Sequence, residues 1–144
     1  MKKLQVSYIP IEEIKPYAGN AKQHPESQIA QIMESIQQFG FNDPVAIWGD
    51  DNTVIEGHGR LIAARRLGFD KIPVIRLDAL SEEQRRAYAL IHNKLTMNSA
   101  FDAERLQIEL EEITEINMET FDFILPENPE EFSMDDFEES PGYD

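Results

Sequence analysis

The sequence predicts one α+β domain, a small mixed sheet with packed helices, followed by an acidic tail. Short runs of β-branched and aromatic residues alternate with longer runs of helical periodicity, and glycine and proline separate the runs. A length of 144 residues suffices for one hydrophobic core and is too short for two domains of ordinary size. We therefore expect a domain over residues 1–117 and an acidic linker or tail over residues 118–144.

The first half of the chain predicts a strand, a helix and a hairpin. Leu4, Val6 and Tyr8 alternate with polar residues, which is typical of a half-buried strand. Pro25 suits a first helical position, and Gly40 ends the helix. The apolar residues between them recur at helical spacing and predict one buried face: Ile29, Ile32, Met33, Ile36 and Phe39. Apolar runs at 45–48 and 53–55 predict two strands joined by a four-residue turn.

The second half predicts a strand between helices. The chain passes from the strand at 53–55 through a glycine turn at 56–60 into a helix that Gly68 ends, and residues 72–77 form a further strand. Ser81 and Gln84 make a capping box for the next helix, and Asp102 caps another. The first of these two helices carries an apolar stripe that we expect to be buried: Ala87, Leu90, Ile91 and Leu95.

Composition excludes several classes of function. The chain contains no cysteine, so a disulfide framework, a thiolate zinc site and a cysteine nucleophile are excluded, and a reducing compartment such as the cytoplasm is expected. No apolar stretch is long enough to span a bilayer, so we expect no membrane partner. Of the net charge of −15, residues 1–110 account for −2, whereas residues 111–144 hold 13 acidic residues and no basic one. Because the domain lacks a basic field, direct DNA binding should be weak.

The segment Glu56-Gly57-His58-Gly59-Arg60 is a candidate phosphate site. A strand that enters a helix through a glycine turn presents backbone N–H groups and the positive end of the helix dipole to an anion. Arg60 would add a planar fork of donors, and the His58 ring could hydrogen-bond a ligand. The spacing alone favours a purely structural turn, because such short motifs recur without function.

Two further polar clusters are candidate binding residues. Asn20, Lys22 and His24 precede the first long helix, and a polar loop that caps the helix is the alternative interpretation. Asn93 and Lys94 lie late in the helix that begins near Ser81, where Lys94 could simply complement the helix dipole. Neither cluster by itself indicates a binding site.

The order of these segments resembles the N-terminal domain of the ParB/sulfiredoxin superfamily. The resemblance covers roughly residues 4–115 and rests on the runs 9–16, 20–25, 32–40, 44–45, 54–64 and 72–74. It implies that the glycine turn binds the phosphate of a nucleotide or of a substrate through Gly57, His58, Gly59 and Arg60. The same resemblance implies a further lining of the pocket: Asn20, Lys22, His24, Asn93 and Lys94.

The resemblance also implies a cofactor and a carboxylate. If Mg²⁺ with a nucleoside triphosphate or diphosphate binds, Glu56 could hold the metal or a reacting hydroxyl, although a carboxylate at the end of a strand is as often a turn anchor. Sulfiredoxins carry their cysteine nucleophile where His58 stands, so that reaction is excluded. Partition-type ParB proteins carry Glu-Arg-Arg after the first glycine, and the different residues here leave CTP preference and hydrolysis open.

Three functions follow from these expectations. The first is a nucleotide-binding accessory domain of a DNA-modification or partition system. The Gly-His-Gly-Arg turn is similar to the corresponding turn in ParB-like domains of phages and mobile elements, and many of those domains precede a DNA methyltransferase domain. Such an accessory domain would act with a fused or associated methyltransferase or another DNA-acting protein. The second is a small phosphotransferase or nuclease that uses Glu56 and His58 catalytically. The third is an acidic interaction protein whose tail mimics DNA, with a solvated tail as the alternative.

Overall fold

The protein folds as a four-stranded mixed sheet with helices packed on it. The computed structural model describes residues 3–17, 24–97 and 100–124. The strands are β1 (Ser7–Pro10), β2 (Val45–Trp48), β3 (Thr53–Glu56) and β4 (Lys71–Arg76). The α-helices are α1 (Glu26–Phe39), α2 (His58–Leu67), α3 (Glu82–Met97) and α4 (Ala103–Glu112), and short 3-10 helices cover Ile11–Glu13 and Met118–Phe121. The predicted α+β class is confirmed.

The strands lie in the order β1-β4-β2-β3. β2 and β3 form an antiparallel hairpin, β4 returns parallel to β2, and β1 is antiparallel to β4. The helix α2 connects β3 to β4 and therefore crosses the sheet. Because β3 ends where α2 begins, the glycine turn lies at one end of the edge strand β3.

The core has two layers of contacts. Leu61 and Ala64 of α2 pack on sheet residues such as Val45, Ile47 and Val74. On the other side of α2, Ala63 packs against the α1 residues Ile29, Ile32 and Ile36. The order is thus sheet, α2, α1, so α2 has buried residues on both sides, and burial of this apolar surface is the main force that holds the glycine turn in place.

Predicted caps and turns are confirmed at the ends of the later elements. The backbone N–H of Ser81 donates to Gln84 Oε1 (2.8 Å), and the N–H of Gln84 donates to Ser81 Oγ (3.2 Å), as in a capping box. Asp102 accepts from the N–H of Arg105 at the start of α4. The turn at residues 49–52 is held by Arg76, which donates to Gly49 O (2.6 Å) and to Asn52 Oδ1 (2.7 Å).

Two local predictions near the N-terminus are wrong. The strand begins at Ser7 rather than at Leu4, and Leu4, Val6 and Tyr8 are exposed. Ile9, on the opposite face of the strand from Tyr8, is partly buried and packs against the core. A two-residue alternation fixes which residues share a face of a strand but not which face is covered. Pro25 is the N-cap of α1, one position before the predicted one.

The predicted buried stripe on α3 is also wrong. Leu90, Ile91 and Leu95 are 61%, 55% and 63% exposed, and Ala87 is exposed as well. The partly buried residues of α3 include Arg85, Tyr88 and His92, which lie toward the sheet and the glycine turn. The guanidinium of Arg85 stacks 3.4 Å from the ring centroid of Trp48. The helix therefore docks through its polar and aromatic face.

Within the described part of the chain, no helix is both long enough and apolar enough to cross a bilayer.

Candidate functional site

Gly57 makes the junction between β3 and α2. Its backbone is left-handed, with φ 109° and ψ 23°, and it is the N-cap of α2. A Cβ atom at this position would lie 3.1 Å from Val45 Cγ2 and 3.1 Å from Arg60 Nη2. Glycine is therefore required here both by the dihedral angle and by the close approach of a buried strand. The turn presents the N-terminus of α2 as the sequence predicts.

Arg60 is held by a carboxylate and by two backbone carbonyls. Its Nη1 and Nη2 donate to Glu56 Oε1 (3.2 Å) and Oε2 (3.0 Å), its Nη2 also donates to Pro44 O (3.1 Å), and its Nε donates to Asp43 O (3.0 Å). The Arg60 and Glu56 side chains are only 13% and 8% exposed. The predicted contact of Arg60 with phosphate stays a prediction, and it would require Arg60 to exchange some of these partners.

His58 lies on the other flank of the turn. It is buried as the first residue of α2, and its Nε2 accepts a hydrogen bond from the backbone N–H of Tyr17 at 3.2 Å. This bond connects the glycine turn to the segment that leads into residues 18–23. A base or nucleophile role for His58 remains untested, as does the predicted basic role of Glu56, whose two oxygens both accept from Arg60.

A cavity of about 720 Å³ adjoins the ion pair between Glu56 and Arg60. One wall is polar and contains Asp43, this ion pair, Tyr88 and His92. The remaining walls are mainly apolar and come from α1, the following loop, β4 and the C-terminal end of the described chain: Ile32, Ile36, Phe39, Phe41, Ile75, Met118, Phe121 and Phe123. Its volume lies within the range of small-molecule sites.

The side chains of the polar wall are partly shielded from water. Burial, with a smaller contribution from the negative charge of Glu56, raises the pKa of the Tyr88 hydroxyl. The Tyr88 and His92 rings lie 5.8 Å apart, one helical turn from each other on α3. His92 Nδ1 is buried and has no hydrogen-bond partner within the described ranges.

The other predicted site residues differ in burial and in whether the structure describes them. His24 Nδ1 lies 2.9 Å from Oε1 of the buried Gln28 at the start of α1. Asn93 is partly buried and Lys94 is exposed, directly after His92 on α3. Asn20 and Lys22 lie outside the described residues. Contact of any of these residues with a ligand stays a prediction.

The described residues do not build a protein cage for a metal ion. Within residues 3–17, 24–97 and 100–124, no group of three His, Asp or Glu side chains is close enough to hold one. Glu56, the predicted magnesium ligand, is already paired through both oxygens with Arg60. A magnesium ion bound mainly by nucleotide phosphates needs few protein ligands, and this is the form in which it would fit here.

Two features of the site were not specified by the sequence. Tyr88 and His92 have the i, i+4 spacing of one helix face, but the apolar stripe on the opposite side of α3 suggested the wrong face. Met118, Phe121 and Phe123 lie in a stretch whose acidic composition indicated a linker or tail with aromatic residues that could dock on the domain, and they line the cavity. The predicted boundary at residue 117 stays a prediction, and residues from 125 onward lie outside the described structure.

Comparisons with known proteins identify similar sequences and folds. The family model of the ParB N-terminal domain matches residues 1–94. The ParB-like nuclease domain-containing protein YnaK of Escherichia coli is 46% identical over 84 residues, which are 58% of this chain and 95% of YnaK.

Two solved structures of the C-terminally truncated chromosome-partitioning protein ParB from Caulobacter crescentus are also similar. The complex with CTP-γ-S has a TM-score of 0.66 at 17% identity and covers 83% of this chain and 66% of that chain. The complex with the centromeric parS site has a TM-score of 0.52 at 16% identity and covers 82% and 59%. At these identities the likeness shows the fold alone, and this chain spans about two thirds or less of the ParB structures.

Proposed function

The chain belongs to the ParB N-terminal domain family, and from this we propose that it is a nucleotide-binding domain. The resemblance to this superfamily predicted from the sequence is thus confirmed, whereas the ligand is a proposal. The observation that supports it most directly is the cavity beside the Glu56–Arg60 pair, at the N-terminus of α2. The similar ParB structure in complex with CTP-γ-S is in keeping with a ligand of this class.

Charge suggests how a nucleotide would be oriented. The described lining residues of the cavity include two carboxylates, Asp43 and Glu56, and one guanidinium, Arg60, so the cavity itself does not favour a polyphosphate. The N-terminus of α2 carries a partial positive charge. The exposed Lys94 lies two positions after the cavity residue His92 in the sequence. We infer that the phosphates lie at the glycine turn, and that the base and ribose extend into the cavity.

The phosphates would bring their own Mg²⁺. Because the described residues offer no metal cage, the ion would be held by phosphate oxygens and water, with the protein contributing one ligand at most. The ion would neutralise part of the phosphate charge, which favours binding close to Glu56.

The cellular setting proposed for the domain is a phage or mobile-element system for DNA modification or partition. In such a system the domain would act beside a fused or associated DNA methyltransferase or another DNA-acting protein. The ParB structure bound to parS belongs to a longer protein, and the near-neutral charge of residues 1–110 supports only weak direct contact with DNA here.

Calorimetry on the full chain tests the proposal. CTP, ATP, GTP and ADP are titrated separately in the presence of Mg²⁺, and the melting temperature is measured with each nucleotide at saturation. A ligand that binds only the folded state must raise the melting temperature. We expect binding heat and a higher melting temperature with at least one nucleotide. No heat and an unchanged melting temperature with all four would contradict the proposal.

A charge-reversed pair of variants locates the phosphates. Lys94→Glu should weaken nucleotide binding about tenfold at low salt, because it places a negative charge near the phosphates. Lys71→Glu makes the same change at an exposed position on β4, two strands from β3, and is the control. Equal affinities of the two variants would remove Lys94 from the phosphate site.

A further inference from the structure

Residues 117–124, hereafter the strap, form a small folded unit after α4. Asn117 caps its 3-10 helix by accepting from the backbone N–H of Glu119 at 3.1 Å. The chain then reverses at Asp122, whose φ of 66° is left-handed, and the N–H of Phe123 returns to Met118 O at 3.1 Å. The strap lies beyond residues 1–94, the part that matches the family model.

The strap is fixed against the domain at two points. Gln31 Nε2 of α1 donates to Asp122 Oδ2 at 2.7 Å. The Phe123 ring meets the Phe101 ring edge to face, with centroids 5.9 Å apart. Met118, Phe121 and Phe123 of the strap line the cavity, whose other lining residues include Glu56 and His92.

Phe121 is the strap ring that a ligand in the cavity could contact. It is partly buried and lines the cavity, but it makes no ring contact with any other aromatic residue in the part of the chain that the structure describes. The Phe123 ring, in contrast, is already engaged with Phe101. A flat aromatic group in the cavity could therefore lie against Phe121 without displacing a protein ring. Stacking of this kind accepts any base, because every base has a π-face.

We propose that the strap supplies the base-stacking wall of the nucleotide site and that Phe121 is the residue that contacts the base. This inference rests on the proposed function, since it needs a ligand that carries both phosphate and a ring. It adds a part of the site that the matched family region does not contain. The phosphates are bound at one end by the glycine turn, and the ring is bound at the other end by the strap.

Two probes separate the ring from the phosphates. The full chain and its variants are titrated with a nucleoside triphosphate and with inorganic tripolyphosphate, both with Mg²⁺. Phe121→Ala should weaken binding of the nucleotide about tenfold, because a stacking contact is lost, and should leave binding of tripolyphosphate unchanged. Ile108→Ala truncates an exposed apolar residue on α4 that does not line the cavity, and it should change neither affinity.

A fluorescent variant tests the same contact without removing the ring. Trp48 is the single tryptophan of the chain, so Phe121→Trp in a Trp48→Phe background places one indole on the strap. Stacking of a base on this indole should quench its emission, whereas tripolyphosphate should not. This readout also covers the case in which Phe121→Ala unfolds the strap.

The outcomes distinguish the two proposals. If neither probe binds the unmodified chain, the proposed function fails and this inference fails with it. If the nucleotide binds but Phe121→Ala weakens both probes equally or neither of them, or the indole is not quenched, the nucleotide site stands and the stacking wall is wrong. A nucleotide that binds no more tightly than tripolyphosphate would likewise overturn the stacking wall alone.

Discussion

Arg60 holds the carboxylate of Glu56 with both terminal nitrogens, at 3.2 and 3.0 Å, across the junction of β3 and α2. The same guanidinium binds the carbonyls of Asp43 and Pro44, so it also connects this junction to the loop before β2. The pair is nearly buried, and removal of one partner from such a pair leaves an uncompensated charge. The glycine turn is therefore rigid before any ligand binds.

Arg60→Ala should lower the free energy of unfolding by about 3 kcal/mol, because Glu56 would stay buried without its partner. Arg66→Ala is a matched control on the same helix. Arg66 also holds a glutamate bidentately, Glu26 at 2.6 and 2.9 Å, but the two side chains are 44% and 79% exposed. Exposed pairs contribute little, so this variant should be much less destabilised in a urea titration. Equal losses would show that Arg60 has no special structural role.

Gly57→Ala should be more destabilising than Gly68→Ala, although both glycines have a positive φ. At Gly68, φ is 81° and no heavy atom lies within 4 Å of the point that a Cβ atom would occupy, so only backbone strain of about 1 kcal/mol is expected. At Gly57 the new methyl group would also press on Val45 and Arg60, for a total of about 3 kcal/mol. Chemical denaturation of both variants measures the difference, and similar losses would argue against the close approach at Gly57.

Leu95→Gln should change the free energy of unfolding by no more than about 0.5 kcal/mol, because this α3 side chain is 63% exposed. Leu106→Ala on α4 should cost about 2 kcal/mol or more, since Leu106 is buried. Thermal or urea unfolding of both variants tests the orientation of α3. A loss at Leu95 that approaches the loss at Leu106 would mean that the apolar face of α3 is covered in solution.

The raised pKa of the Tyr88 hydroxyl predicts that the folded state loses stability at alkaline pH. Burial raises the pKa of its hydroxyl above the ordinary value of 10.0, so the unfolded chain ionises first as the pH rises. The folded state therefore binds the proton more tightly, and stability that is fully present below pH 10.0 is lost as the pH rises through the folded pKa. Tyr88→Phe should reduce this alkaline loss, as measured by urea titrations at several pH values. Tyr8→Phe, which removes an exposed phenol, controls for the substitution, and an equal reduction in both variants would contradict the assignment.

Local patterns in the sequence were sufficient for most of the secondary structure. The capping box at Ser81 and the stop at Gly40 depend on hydrogen bonds and dihedral angles within a few residues, so nearby residue types specify them. The need for glycine at position 57 was visible in the same way. Composition likewise excluded cysteine chemistry, because the absence of cysteine requires no structure to recognise.

Packing decided which faces are covered and which groups meet. A periodic pattern on α3 marked an apolar stripe at Leu90, Ile91 and Leu95, but these residues are exposed, and α3 partly buries Tyr88 and His92 beside the cavity instead. No local pattern indicated that Phe121 would return to the cavity near Glu56, 65 positions earlier in the sequence, since contacts at that separation depend on the whole fold. The glycine turn at residues 56–60 could thus be predicted from the sequence. The cavity beside it could not, because it forms only when segments distant in sequence pack together.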